Sequence, residues 1–263
     1  MVRGKLFKLD EPFDVYVESN RLGRSVAHVP QLPGCIVRAQ TSDQALRYVE
    51  EAVTQYLLWL GMHGGAPRPV PSLIRTRVVE QYTGAAASGS GSRVALLQPD
   101  RLPIDRKELE EYLQRMSYSR KDLLEIISTL PCDVLKSHPH RQQRSIREIL
   151  QHIAGAEQWY LTRLMKVPRF PVQKTHLLRL QVVREAALRL LSQDDLRRGE
   201  RVVEMAGEAW TLRKVLRRFL EHEREHLVEI EWRLNDMGLP ALPAWMPVEA
   251  KARELRLAEV FHF

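Results

Sequence analysis

The sequence predicts two modules of different class: an α+β module of order β-β-β-α-β over residues 1–83, and an all-α four-helix bundle over residues 99–240. Three observations predict this division. The stretch from Gly84 to Ser92 is built of Gly, Ala and Ser and has no apolar anchor to offset the entropy of ordering it, so residues 84–98 read as a linker. Before it, apolar residues alternate or fall in β-branched runs around one helical pattern. After it they recur at spacings of three and four, the helical period. Residues 241–263 follow the last helical pattern as a Pro-rich tail expected to lie over the surface.

In the first module, Phe13 to Glu18 alternates apolar with polar, and so does Arg24 to Val29 after the turn-prone Asn20 to Gly23, which makes the pair a hairpin. Cys35 to Gln40 reads as a third strand. Thr41 to Gln44 has capping-box spacing, and Leu46, Val49, Val53, Tyr56, Leu57 and Leu60 then repeat at helical intervals until Gly61. Ile74 to Glu80 supplies the last strand. Cys35 and His28 read as structural, a turn thiol and a strand histidine.

In the second module, Leu109, Tyr112, Leu113, Met116, Leu123, Leu124, Ile127 and Leu130 form one helical stripe, closed by Pro131. Ser145 to Glu148 is a capping box that opens a second helix through Ile146, Ile149, Leu150, Ile153, Tyr160, Leu161 and Leu164. A third helix runs from about Val172 to Leu191. Residues 201–210 suit a small hairpin. The fourth helix follows Thr211 and carries Leu212, Val215, Leu216, Phe219, Leu227, Ile230 and Leu234 until Gly238 and Pro240.

Composition excludes several classes. Hydrophobic residues make up 44% and charged residues 28% of 263, which fits neither a disordered nor a collagen-like chain. The cysteines, Cys35 and Cys132, provide no disulfide framework and suit a reducing cytoplasm. The opening residues carry charge without an apolar core, so no signal peptide is read, and no stretch is apolar enough for a membrane span. The net charge of +7 raises the question of nucleic acid. Yet Arg213, Lys214, Arg217, Arg218 and Arg224 are interleaved with Glu221 and Glu225, which reads as a solvated, partly self-paired face, so no specific nucleic-acid binding is expected.

The order β-β-β-α-β, with Leu32-Pro-Gly-Cys-Ile36 in the turn and the Thr-Ser-Asp-Gln-Ala-Leu46 helix start, resembles the HicB-like family, the antitoxin half of bacterial toxin–antitoxin pairs. That family usually adds a DNA-binding segment, where this chain has a flexible linker. The resemblance therefore implies a binding module, for a protein partner, a second copy or a ligand.

The fourth helix contains His222-Glu-Arg-Glu-His226, two imidazoles at i,i+4, the spacing by which a helix offers two nitrogens to one metal. His226 falls within the apolar stripe and His222 at its edge, so both face the bundle interior. The same residues spell H-E-x-x-H, but the metzincin extension fails at Glu229 and Trp232, and a downstream Glu ligand would have to come from the Pro-broken tail. A third ligand is better sought on the second helix at His152, which flanks the stripe with Ile149, Ala156, Trp159 and Arg163; small Ala156 and flat Trp159 leave room for a pocket. His138 and His140 lie in a polar loop and read as solvent-exposed.

The run Ser145-Ile-Arg-Glu-Ile-Leu-Gln-His152-Ile-Ala-Gly-Ala-Glu-Gln-Trp-Tyr160, followed by Trp210-Thr-Leu-Arg-Lys-Val-Leu216 and His222-Glu-Arg-Glu-His226, resembles the DinB-like (DinB/YfiT) superfamily of metal-binding four-helix bundles. The resemblance implies a three-His divalent site at His152, His222 and His226, nickel or zinc, with an open position for water or substrate. It also implies transferase, isomerase or hydrolase chemistry, mostly on low-molecular-weight thiols. Where the family often has Arg-Gly-Gln after the last His, this chain has Leu227-Val-Glu229.

Three charges fall within apolar stripes: Arg120 on the first helix, Glu157 on the second and Glu223 on the fourth. A charge so placed is paired or functional. One reading is an internal Arg–Glu pair tying helices together. The other makes Arg120 an anion clamp above the metal and Glu223 a base or a partner orienting a ligand imidazole. Together these features predict a cytoplasmic, bacterial-type protein that is either a metal-dependent transferase or hydrolase acting on a small thiol-linked molecule, or a stress-related or regulatory binding protein whose metal is structural or sensory.

Overall fold

A computed structural model describes residues 11–65, 70, 73–83, 94–138, 143–167, 170, 175–192, 201–205 and 207–239. The Gly/Ser stretch 84–92, His140 and the tail 241–263 lie outside the described residues. The chain divides into two compact units, with the boundary between Pro99 and Asp100.

In the first unit, β1 (Phe13–Ser19), β2 (Ser25–His28) and β3 (Ile36–Ala39) form an antiparallel meander. The segments α1 (Ser42–Arg47) and α2 (Val49–Met62) then carry the chain across to β4 (Thr76–Thr83), which lies parallel to β1, so the sheet order is β3-β2-β1-β4. A parallel neighbour requires such a crossover, and the helices provide it. Val15, Val17, Val26, Val37, Val53, Leu57 and Leu60 are buried as the alternation and the helical repeat require. The Tyr56 hydroxyl donates to the Pro33 carbonyl at 2.6 Å and so pins the Leu32-Pro-Gly-Cys turn, where Gly34 takes φ 94°. His28 and Glu18 are both buried and lie 3.4 Å apart.

Two helix details differ from expectation. The single helix is broken at Tyr48, whose φ −101° and ψ 1° end α1 and begin α2. Gly61 does not stop α2, which runs to Met62; the left-handed residue is Gly64 at φ 73°.

In the second unit, α3 (Arg106–Ser128) opens on a capping box of Asp105 and Glu108, and α5 (Ile146–Leu161) opens on the expected one of Ser145 and Glu148. Between them α4 (Cys132–Lys136) forms one turn that the stripe did not announce, because it offers only Leu135 to the core. Next come α6 (His176–Ser192), the hairpin of β5 (Val203–Met205) and β6 (Glu208–Trp210), and α7 (Leu212–Asp236), capped by Thr211. Both α3 and α5 pack against α6 and α7. The core between them contains Met116, Leu123, Ile149, Ile153, Leu161, Leu180, Val183, Val215 and Phe219.

The solvated face expected on α7 is not there. Arg213, Lys214, Arg217, Arg218 and Arg224 are all buried. Arg217 spans Asp100 and Glu221, Arg218 reaches Glu221, Arg213 meets Glu108, and the Lys214 ammonium lies 2.9 Å from Glu208. Carboxylates from the turn before α3, from α3 itself and from the hairpin lie over this helix, and they replace the water that the i,i+4 pattern suggested. Among the described residues, no helix is long and apolar enough to cross a membrane.

Candidate metal centre

The i,i+4 pair on α7 and the single imidazole on α5 meet where those helices pack. His222 Nε2 lies 3.1 Å from His152 Nε2 and 3.2 Å from His226 Nε2, and the three possible ligand atoms all lie within 4.8 Å of one another. Nitrogens held about 2.0–2.1 Å from a tetrahedral zinc stand roughly 3.3–3.4 Å apart, so the two shorter separations are close to a shared coordination sphere. His222 and His226 are buried and His152 is half-exposed.

The other face of His226 is held by Glu229, whose Oε2 lies 2.7 Å from Nδ1. A carboxylate only accepts, so Nδ1 carries a proton and Nε2 is the nitrogen that faces the cluster. Arg233 donates to Glu229 Oε1 at 3.1 Å and to the Arg144 carbonyl at 3.0 Å, which fixes the carboxylate in turn. Burial pushes the Glu229 carboxyl up, but the His226 contact and the charges of Arg233 and Arg144 bring it below its ordinary value. This donor set suits a divalent ion: three nitrogens converging, with an anion behind one of them.

Arg120 and Glu223 lie in a different cluster. Arg120 Nε donates to Glu223 Oε2 at 2.7 Å, Nη2 donates to Glu157 Oε1 at 2.6 Å, and Nη1 donates to the Leu180 carbonyl at 2.6 Å. Arg184 on α6 bonds the same two carboxylates. Two guanidiniums and two carboxylates, all buried, thus join α3, α5, α6 and α7. Burial raises the Glu223 carboxyl, yet Arg120 and Arg184 carry it below its usual value, and the carboxylates in turn hold Arg184 more basic than usual against its own burial. Of the two readings open for Arg120, the structure has the internal pair, and Glu223 makes no hydrogen bond to an imidazole among the described residues.

The fold, the three imidazoles and the charge cluster now stand together on four helices. Residues 115–230 match the family model of the DinB superfamily. The match holds His152, His222, His226, Glu229 and all four members of the charge cluster, and does not extend into the first unit. No curated protein and no solved structure matches the chain.

Within the DinB-like region, His152 is held to about 4, chiefly by burial, with the charges of His226 and Arg144 adding to it. A ring neutral at ordinary pH is in the state a metal ligand needs. Tyr160 and His222 pack edge-to-face with centroids 5.8 Å apart, and Tyr160 stands beside Trp159 and Trp210. Glu229, Arg233 and Arg184 were not anticipated as partners. The i,i+3 and i,i+4 spacings of His226, Glu229 and Arg233 carried that signal, and Arg184 falls in the stripe of Leu180 and Ala187. His138 is exposed and lies 2.8 Å from Glu148 Oε2, apart from the cluster, as a loop histidine should be.

Proposed function

We propose that the DinB-like region is a four-helix bundle that holds one divalent ion, nickel or zinc, through His152, His222 and His226. On this reading it is a metal-dependent transferase or hydrolase acting on a small thiol-linked molecule. The observation that carries this is the convergence of three imidazole nitrogens, one of them oriented by Glu229.

When bound, such an ion supplies a Lewis acid that lowers the pKa of a water or thiol at an open coordination position. Glu229 holds His226 in the ligating tautomer and lends the site negative charge. His152, the least buried ligand, lies where a small molecule can enter. Arg120, Glu157, Arg184 and Glu223 hold the helices in register rather than meeting substrate. The first unit acts as a HicB-like binding module for a protein partner or a second copy, and the chain works in the cytoplasm.

One observation favours the non-enzymatic alternative, in which the metal is structural or sensory: Glu223, the carboxylate best placed in sequence to act as a base, is locked by two guanidiniums. Cobalt substitution of untagged protein separates the two readings. Titration with 2-mercaptoethanol should add a thiolate-to-cobalt charge-transfer band if a coordination position is open. A visible spectrum that does not respond to the thiol identifies a closed, structural site.

A further inference from the structure

One strip of α5 lies at the edge of the core and is partly open to solvent. His152, Gly155 and Trp159, followed by Arg163 in the turn after the helix, lie at spacings of three, four and four and so share a face. Along it, exposure rises from the half-exposed His152 to Trp159 at 37%. Among the described residues, a Cβ built on Gly155 would meet nothing within 4 Å, so none of them fills the space beside Gly155 on this face. The Arg163 guanidinium lies over the Trp159 ring at 4.2 Å from its centroid, and its Nη2 donates only to the Thr162 hydroxyl at 3.1 Å. Its Nε is shielded from solvent and has no hydrogen-bond partner among the described residues.

Arg163 has no carboxylate among the described residues, whereas Arg120, Arg184, Arg213, Arg217, Arg218 and Arg233 in the same unit each hold one. A guanidinium stacked on an indole is pre-organised, with its fork left for a planar anion. We propose that this strip seats the substrate, with Arg163, held on the Trp159 ring, taking a carboxylate while the reacting end meets the three imidazoles. The proposal rests on the metal-dependent reading given above and names the chemical class of its substrate. A planar guanidinium fork pairs with a carboxylate through two parallel hydrogen bonds. The Arg163 guanidinium lies back over Trp159, seven positions and a rise of about 10 Å from His152, so the substrate's carboxylate stands on the order of 10 Å from the group that meets the metal.

The probe is suberic monohydroxamic acid, whose hydroxamate grips a metal while its carboxylate sits at the far end of an eight-carbon chain; its methyl ester is the neutral control. Calorimetry on the full zinc-loaded chain should show the acid binding roughly tenfold tighter than the ester, as expected for a charge-assisted pair at a half-exposed site. Arg163→Met should erase that preference without changing zinc content, and Arg163→Lys should keep part of it. A zinc-loaded chain that binds both probes equally, or neither, overturns this proposal alone, as does a preference that survives Arg163→Met. If Arg163→Met does not fold, the two probes on the wild-type chain and on Arg163→Lys still decide. A chain that holds no metal overturns the underlying reading and this proposal with it.

Discussion

Glu229 Oε2 lies 2.7 Å from His226 Nδ1, one helical turn further along α7, and this contact decides which nitrogen of His226 faces His152 and His222. Because the carboxylate is itself held by Arg233, the orientation is set before any ion arrives. Glu229→Gln keeps an acceptor but removes the charge. We expect it to weaken divalent-ion affinity roughly tenfold or more while leaving the helical fold intact. Competition against a chromophoric chelator measures this, and an unchanged affinity would mean that Glu229 does not act on the ligand.

The Arg120–Glu223 pair supports a different prediction. Arg120→Met leaves Glu157 and Glu223 sharing only Arg184, so the unit should lose about 3 kcal/mol of stability while its metal content stays the same. Adding Glu223→Gln should recover much of the loss. Denaturant melts of the single and double variants check this; a single variant as stable as the wild type would return Arg120 to the role of anion clamp.

Legibility in the sequence followed the kind of signal. The Ser145 to Glu148 capping box placed the start of α5, although its apolar stripe ran on to Leu164, three residues past the helix end, and the H-x-x-x-H spacing placed His222 and His226 on one face. Placing His152 beside them required a tertiary fact, the packing of α5 on α7; its position flanking the stripe made it a candidate, and the resemblance implied the three-His set. The self-pairing on α7 is there, as in Arg217 with Glu221, but its solvation was misread because a helical repeat shows where apolar residues go and says nothing of what lies over the remaining face. Asp100 lies far back in the chain, so no local spacing could reveal that it takes Arg217. The break at Tyr48 is likewise invisible to periodicity, since α1 and α2 continue one repeat.

Buried partners for Arg213, Lys214, Arg217 and Arg218 also bear on nucleic acid. Cations engaged inside the unit are not offered to phosphates, so gel-shift titration with random duplex DNA should show no complex persisting at about 0.2 M salt. A sequence-preferring complex at that salt would contradict this.

The contacts that hold α7, from Asp100 and Glu108 through to Glu208, all arise within the second unit. Residues 94–263 expressed alone should therefore melt cooperatively with a helical spectrum. An aggregated or non-cooperative fragment would mean that residues before 94 complete the fold.

The central claim is that His152, His222 and His226 jointly hold one divalent ion. Plasma mass spectrometry of the untagged full chain after exposure to zinc or nickel and removal of excess measures this most directly. The account predicts about one ion per chain, abolished in His222→Ala/His226→Ala and sharply reduced in His152→Ala, with helical content retained in each. A wild-type chain without metal, or a double variant that keeps its ion, would contradict it.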